Sequence, residues 1–265
     1  MRALVICFSL FVISAAALAQ EPARPFEPVS GQDGKDVVWV PSSPDMVDKL
    51  MEIAKVTPAD FVMDLGSGDG RNIIAAAKRG ARGLGVEYNP EMVALSRRLA
   101  TAAGVAEKAQ FVEADMYGYD ISKATVLAVF LLPVNMNRLA AKFFNLAPGS
   151  RVVSNTFSID GWQPDYREML PTNTECEHWC EALLWIVPAK IEGTWAMESG
   201  SIALKQDYQV VTGTLTDANG AQKLAGKLRG EEITFSAGGV SYKAIVNGNT
   251  MVGTAGDRPW RASLR

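Results

Sequence analysis

The sequence holds one histidine, His178, and three cysteines, Cys7, Cys176 and Cys180. Zinc sites draw on at least three protein ligands, mostly Cys and His. That supply is too thin here, so no metal centre is expected. His178 lies far along the chain from any glycine-rich segment, and no Ser-His-Asp set or paired-carboxylate set stands out. The net charge is −3 with no basic stripe, which argues against a nucleic-acid partner. The longest apolar run, Val5 to Ala17, is too short to span a bilayer comfortably.

That run has another use. Arg2 precedes it, and Ala17-Leu18-Ala19 has the small-x-small form of a signal-peptidase site. Residues 1–19 are therefore expected to be a signal peptide, leaving an exported, periplasmic chain that begins at Gln20. The alternative is an uncleaved anchor, the one route to membrane association. Residues 20–36 are rich in Pro, Gly and charge and read as a linker. Cys176 and Cys180 then remain alone in an oxidising compartment, which favours a disulfide. Helical i,i+4 geometry suits that bond poorly, whereas a loop accommodates it.

With 48% hydrophobic residues the chain can bury a real core. Ser43-Pro44 starts a helix carried by Met46, Val47, Leu50 and Met51. "FVMDL" is a buried strand, "RNIIAAAKRG" a helix and "GLGVEY" a strand. A helix from Asn89-Pro90, then "AQFVEAD", "ATVLAVFLL", the helix "NRLAAKFFNL" and the strand "RVVSNTF" follow. Strands alternating with helices describe a doubly wound, Rossmann-like α/β sheet over residues 37–188. After Pro188 only short alternating segments remain, broken by Gly, Asn and Asp. Residues 189–265 are expected to form five or six antiparallel strands in a small all-β unit.

The chemistry centres on "DLGSGDG". Gly66, Gly68 and Gly70 follow the first strand, and glycines there let a ligand approach the backbone. Their Gly-x-Gly-x-Gly spacing departs from the dinucleotide fingerprint. Asp64 lies two residues before Gly66. Its carboxylate would repel a pyrophosphate and attract a cationic amine, which disfavours NAD and favours S-adenosylmethionine. Glu87 ends the second strand, where a carboxylate accepts ribose hydroxyls. Asp115 ends the third, placed to accept from an adenine amino group with Met116 against the ring. Trp39, Tyr88, Phe130 and Trp162 are candidates for a substrate slot, with one or two expected to face it.

These segments resemble the class I S-adenosylmethionine-dependent methyltransferases. In particular they resemble the lysine methyltransferases of the ATP synthase c-ring protein and the adenine nucleotide translocase. The resemblance rests on "VWVPSSPDMVDKLM", "DLGSGDGRNIIAAAKRGA", "GVEYNPEMVALSRRLA", "EADMYGYDIS" and "FLLPVNMNRL". It implies a cofactor site of Asp64, Gly66, Ser67, Gly68, Glu87, Tyr88, Asp115 and Met116. It also implies that Val40-Pro41-Ser42 and Phe130 to Pro133 flank the transferred methyl group. Phe130, Leu131 and Leu132 read as apolar walls, and Pro133 leaves the Leu132 carbonyl free to accept an amine N–H. The expected substrate is a protein lysine. The export signal and the C-terminal β unit depart from the family. They keep a second reading open: an exported nucleoside-binding module without turnover.

Overall fold

The structure is a computed structural model that describes residues 26–171 and 176–265. The expected signal peptide lies outside the described residues.

The N-terminal unit alternates as the sequence suggests. Helix α1 is Pro44–Ile53, strand β1 Phe61–Leu65, α2 Arg71–Lys78, β2 Arg82–Glu87, α3 Pro90–Ala102, β3 Ala109–Glu113, β4 Val126–Val129, α4 Pro133–Phe144 and β5 Arg151–Asn155. Strands β6 (Tyr166–Met169) and β7 (Glu181–Ile186) complete a seven-stranded sheet of order β3-β2-β1-β4-β5-β7-β6. Strands β1 to β5 are parallel, and β7 runs antiparallel to both β5 and β6. The short edge strand β6 has no buried face, so its letters carry no strand pattern.

Local chemistry fixes the helix starts. The Ser43 hydroxyl accepts from Met46 N at 3.2 Å, capping α1, with Pro44 at its first position. Met46, Val47, Leu50 and Met51 are buried on one face of α1, each contributing about 1.5–3 kcal/mol by leaving water. Helix α4 begins at Pro133, four residues earlier than its apolar pattern implies. Proline at the first position needs no N–H partner and carries the backbone directly into the helix. The apolar run before it is correspondingly shorter as a strand. Val126–Val129 is buried on both faces, and Leu131 tucks into the core beyond the strand end.

The C-terminal unit is a closed eight-stranded barrel. Its strands are β8 Gly193–Met197, β9 Gly200–Asp207, β10 Val210–Asp217, β11 Gly220–Arg229, β12 Glu232–Ala237, β13 Val240–Asn247, β14 Thr250–Ala255 and β15 Arg258–Leu264. Each strand pairs with the next in antiparallel register, and β15 closes onto β8. The expected five or six strands are too few. Turns such as Gly230-Glu231 and Gly248-Asn249 occupy only two residues, so they leave no loop to separate two strands in a row of letters. Trp195, Ile202, Leu204, Val211, Leu215, Phe235 and Met251 fill the interior, as a barrel of this size requires.

Trp162 joins the two units. It is fully buried and stacks on Tyr208 of the β9–β10 turn at 4.8 Å, and Phe144 meets Tyr208 edge-on at 5.3 Å. Gln209 Nε2 donates to Gln163 O at 2.6 Å, and Ala189 N to Gly230 O at 2.8 Å. Trp162 is thus a docking residue and not part of a substrate slot. Trp162→Ala should lower the unfolding free energy by about 3–5 kcal/mol, the usual cost of emptying so large a buried site. Urea titration followed by circular dichroism checks this.

Candidate functional site

The carboxyl ends of β1 to β4 open into a cleft. The strand order reverses between β1 and β4, the place where open α/β sheets take their ligands. Asp64, Gly66, Ser67, Gly68, Glu87, Tyr88, Asp115 and Met116 all line this cleft.

Asp64 governs its electrostatics. The side chain is only 3% exposed. Burial raises its carboxyl to about 7; a hydrogen bond from Asn72 opposes the rise, and the nearby Glu87 and Asp69 carboxylates add to it. Asn72, in the first turn of α2, donates from Nδ2 to Asp64 Oδ2 at 3.0 Å. Its own Oδ1 is buried with no donor, and Asn72 also lines the cleft. Asn72 Oδ1 is thus an acceptor beside the Asp64 carboxylate with no donor of its own. Leaving it so is costly unless a ligand supplies one. A protonated amine brings three donors and the compensating charge. A pyrophosphate brings neither. Sequence reading misses Asn72, whose position eight residues past Asp64 looks like ordinary helix surface.

Glu87 has two tasks. Its Oε2 accepts from Gly68 N and its Oε1 from Asn89 N, both at 2.9 Å. The carboxylate thereby pins the glycine loop to the start of α3, and each oxygen retains a lone pair for a ligand hydroxyl. Ser67 lines the cleft, but its hydroxyl turns toward β2. A Cβ on Gly85 would lie 2.5 Å from that oxygen, so Gly85 must be glycine for Ser67 to fit.

Asp115 is not free. Lys35 Nζ reaches its Oδ2 at 2.6 Å and lies 4.3 Å from the centre of the Tyr88 ring. Lys35 and the Tyr117 N–H hold the Asp115 carboxyl below its ordinary range. An adenine amino group would share Asp115 with Lys35. Lys35 belongs to the stretch read from sequence as a linker. In the structure Gly31 N donates to Trp39 O at 2.8 Å and Trp39 N to Gln32 O at 2.9 Å, closing a strap whose residues 32–42 line the cleft. The strap is tied down by the Arg71 guanidinium on Ser42 O and by Asn155 Nδ2 on Ser42 Oγ at 3.0 Å. Trp39 packs so closely on the glycine loop that a Cβ at Gly68 would meet its Nε1 at 2.6 Å. Gly68 also has φ +55, so glycine is required twice over.

At the other end of the cleft Pro41, Phe130 and Leu131 line the wall, whereas Leu132 and Pro133 do not. The Leu132 carbonyl accepts from Asn135 N at 2.9 Å and Met136 N at 3.0 Å, which starts α4. It is not held open for a substrate amine. Trp39, Tyr88 and Phe130 face the cleft, one more aromatic than the upper expectation.

Known proteins resemble this chain over the same segment. The family model for the ANTKMT methyltransferase domain matches residues 64–166. A protein-lysine N-methyltransferase of Saccharolobus islandicus is 42% identical over 132 residues, which is 48% of this chain and 81% of the relative. The chain belongs to this methyltransferase family. The adenine nucleotide translocase lysine N-methyltransferase of Mus musculus is 35% identical over 130 residues, 48% of this chain and 56% of that protein. The chain thus spans a little over half the length of that relative. A solved RNA methyltransferase of Salinibacter ruber, in complex with S-adenosyl-L-homocysteine, is 39% identical. It covers 57% of this chain and 96% of its own, with a TM-score of 0.53. The matched family segment stops before the barrel.

The buried acid makes a stability prediction for the ligand-free protein. A folded-state value near 7 lies above the unfolded carboxyl range. The contribution of Asp64 is therefore fully present at low pH and lost as pH rises through 7. Asp64→Asn should be more stable than the parent at pH 8, by on the order of 4 kcal/mol, and the gap should close toward pH 4. Paired denaturant titrations at the two pH values measure it.

Proposed function

We propose that the cleft binds S-adenosylmethionine and that this enzyme methylates a lysine side chain of a protein. The observation that carries the cofactor assignment is the buried Asp64 carboxylate, held by Asn72, whose own Oδ1 is left without a donor, an arrangement that suits the methionyl ammonium. Glu87 takes the ribose hydroxyls. Asp115 and Met116 take the base, with Lys35 and Tyr88 over the same end. When bound, the cofactor presents a methyl group on a sulfonium sulfur, which a neutral amine displaces in line to leave a thioether. The chain need only hold the amine close, aligned and unprotonated. Pro41, Phe130 and Leu131 provide apolar walls for that, and desolvation favours the uncharged amine. No side-chain base is required.

The names of the relatives divide between protein lysine and RNA. The charge decides for protein here: a net −3 without a basic stripe gives phosphates little to hold. Export is part of the same proposal, supported by the apolar run before Ala17-Leu18-Ala19 and by the pairing of Cys176 with Cys180. It leaves the cofactor to be supplied outside the cytoplasm. A second reading follows from that difficulty and from the Lys35–Asp115 pair across the base end: a nucleoside-binding module without turnover.

Transfer of labelled methyl to an envelope extract, with mass spectrometry of the products, separates these readings. Label on lysine nitrogen, at a rate that rises with pH as the amine loses its proton, is expected. Label only on carboxylates, hydroxyls, RNA or small metabolites would refute the lysine assignment, and binding without transfer would favour the module. Calorimetry should show S-adenosylmethionine binding weakened about tenfold per pH unit below 7, since Asp64 must first release its proton. Glu87→Ala should cost about 1–3 kcal/mol of binding. Intact-mass measurement on fractionated cells should find a periplasmic chain starting at Gln20; a cytoplasmic chain retaining Met1 would refute export.

A further inference from the structure

Phe130 is one of three aromatic rings in contact, and the other two come from distant parts of the chain. Phe157 stacks on it at 5.9 Å, 14° from parallel. Trp179 leans on it at 6.1 Å and 59°. Phe130 lines the cleft two residues beyond Ala128, which is the register partner of Asp64 across β1 and β4. The cluster therefore stands beside the end of the cleft where Asp64 waits for an ammonium, away from Asp115 and Lys35.

Trp179 is unusual in two respects. It is 44% exposed although a large apolar ring, and its backbone is left-handed with φ 55. A non-glycine residue in that region is strained and persists only where its surroundings hold it there. The surroundings are clear. Cys176 and Cys180 are joined in a disulfide that closes a loop of separation 4 around Trp179. The Cys180 carbonyl accepts from Leu170 N at 2.8 Å, which anchors the end of the loop on the sheet. Thr156, also left-handed at φ 62, donates its N–H to Glu181 O at 2.7 Å, and its Oγ1 accepts from Glu181 N at 3.3 Å. Those two bonds fasten the turn carrying Phe157 to the base of the loop carrying Trp179. Two strained segments are thus tied together so that their rings bracket Phe130.

We infer that Trp179, presented by the Cys176–Cys180 loop beyond the lining of the cleft itself, is a specificity residue that extends the substrate slot outward past Phe130 and grips the methylene stem of the incoming amine. The inference rests on the lysine reading above and deepens it. A lysine side chain needs an apolar sleeve for its stem, and aromatic faces supply one that also tolerates the cationic head as it arrives. The ring meets Phe130 and lies 5.9 Å from the His178 ring, and 44% of the residue stays open to solvent.

The test uses the full chain and the tripeptide acetyl-Ala-Lys-Ala-amide as methyl acceptor. Trp179→Ala should raise KM for the peptide at least about tenfold while kcat changes little, since only the grip on the stem is lost. Its S-adenosylmethionine affinity should match the parent, and Trp179→Phe should restore most of the KM. Dithiothreitol should raise the parent's KM in the same direction, and the Cys176→Ser/Cys180→Ser variant should start high and ignore the reductant. A Trp179→Ala enzyme with the parent's KM overturns this inference alone. A parent that methylates no lysine, in the peptide or in an extract, overturns the functional reading and takes the inference with it.

Discussion

A carboxylate buried without a cation organises this protein. Asp64 is shut away from water at the end of a central strand, and among the described residues only Asn72 donates to it. Burial pushes its carboxyl up to about 7, and the Glu87 and Asp69 carboxylates nearby add to the rise. A fold retains such a group at a stability cost only when something supplies the missing charge. The glycine loop, the strap and the cleft can all be understood as keeping water out and leaving room for that cation.

The supporting structure explains several otherwise odd residues. Glu87 spends both oxygens on backbone N–H groups, so the acid that meets a ligand also shapes the loop beside it. Gly85 makes space for Ser67, and Gly68 makes space for Trp39. Arg71 and Asn155 bind the strap at Ser42, coupling residues ahead of the first helix to the sheet end where Phe130 stands. The barrel lies outside this network. It docks through Trp162 and Tyr208, and its interior is filled with side chains.

The sheet and the strand-end acids are legible in the sequence because apolar strands and helical periods alternate cleanly and place Asp64, Glu87 and Asp115 at corresponding edges. Other features are hidden for identifiable reasons. Asn72 matters through an oxygen it does not share, which no pattern of letters records. Lys35 sits in a segment whose composition matches a linker, and only long-range pairing with Asp115 turns it into part of the cleft. Leu132 and Pro133 fall in with the slot because an apolar run reads as one strand, whereas Pro133 opens a helix and consumes the Leu132 carbonyl. The barrel strands merge because two-residue turns carry little sequence signal beyond a glycine or an asparagine. The Cys176–Cys180 pairing follows from compartment logic, but the position of Trp179 on Phe130 does not.

Asp64 and Asn72 are assigned here to reading a ligand's ammonium group. The most direct measurement is calorimetry at pH 8 with S-adenosylmethionine and with its analogue lacking the amino group. The parent should bind the analogue roughly a hundredfold more weakly, the scale of a lost charge-assisted hydrogen bond. Asp64→Asn should discriminate far less between the two. Equal affinity of the parent for both ligands would contradict the assignment.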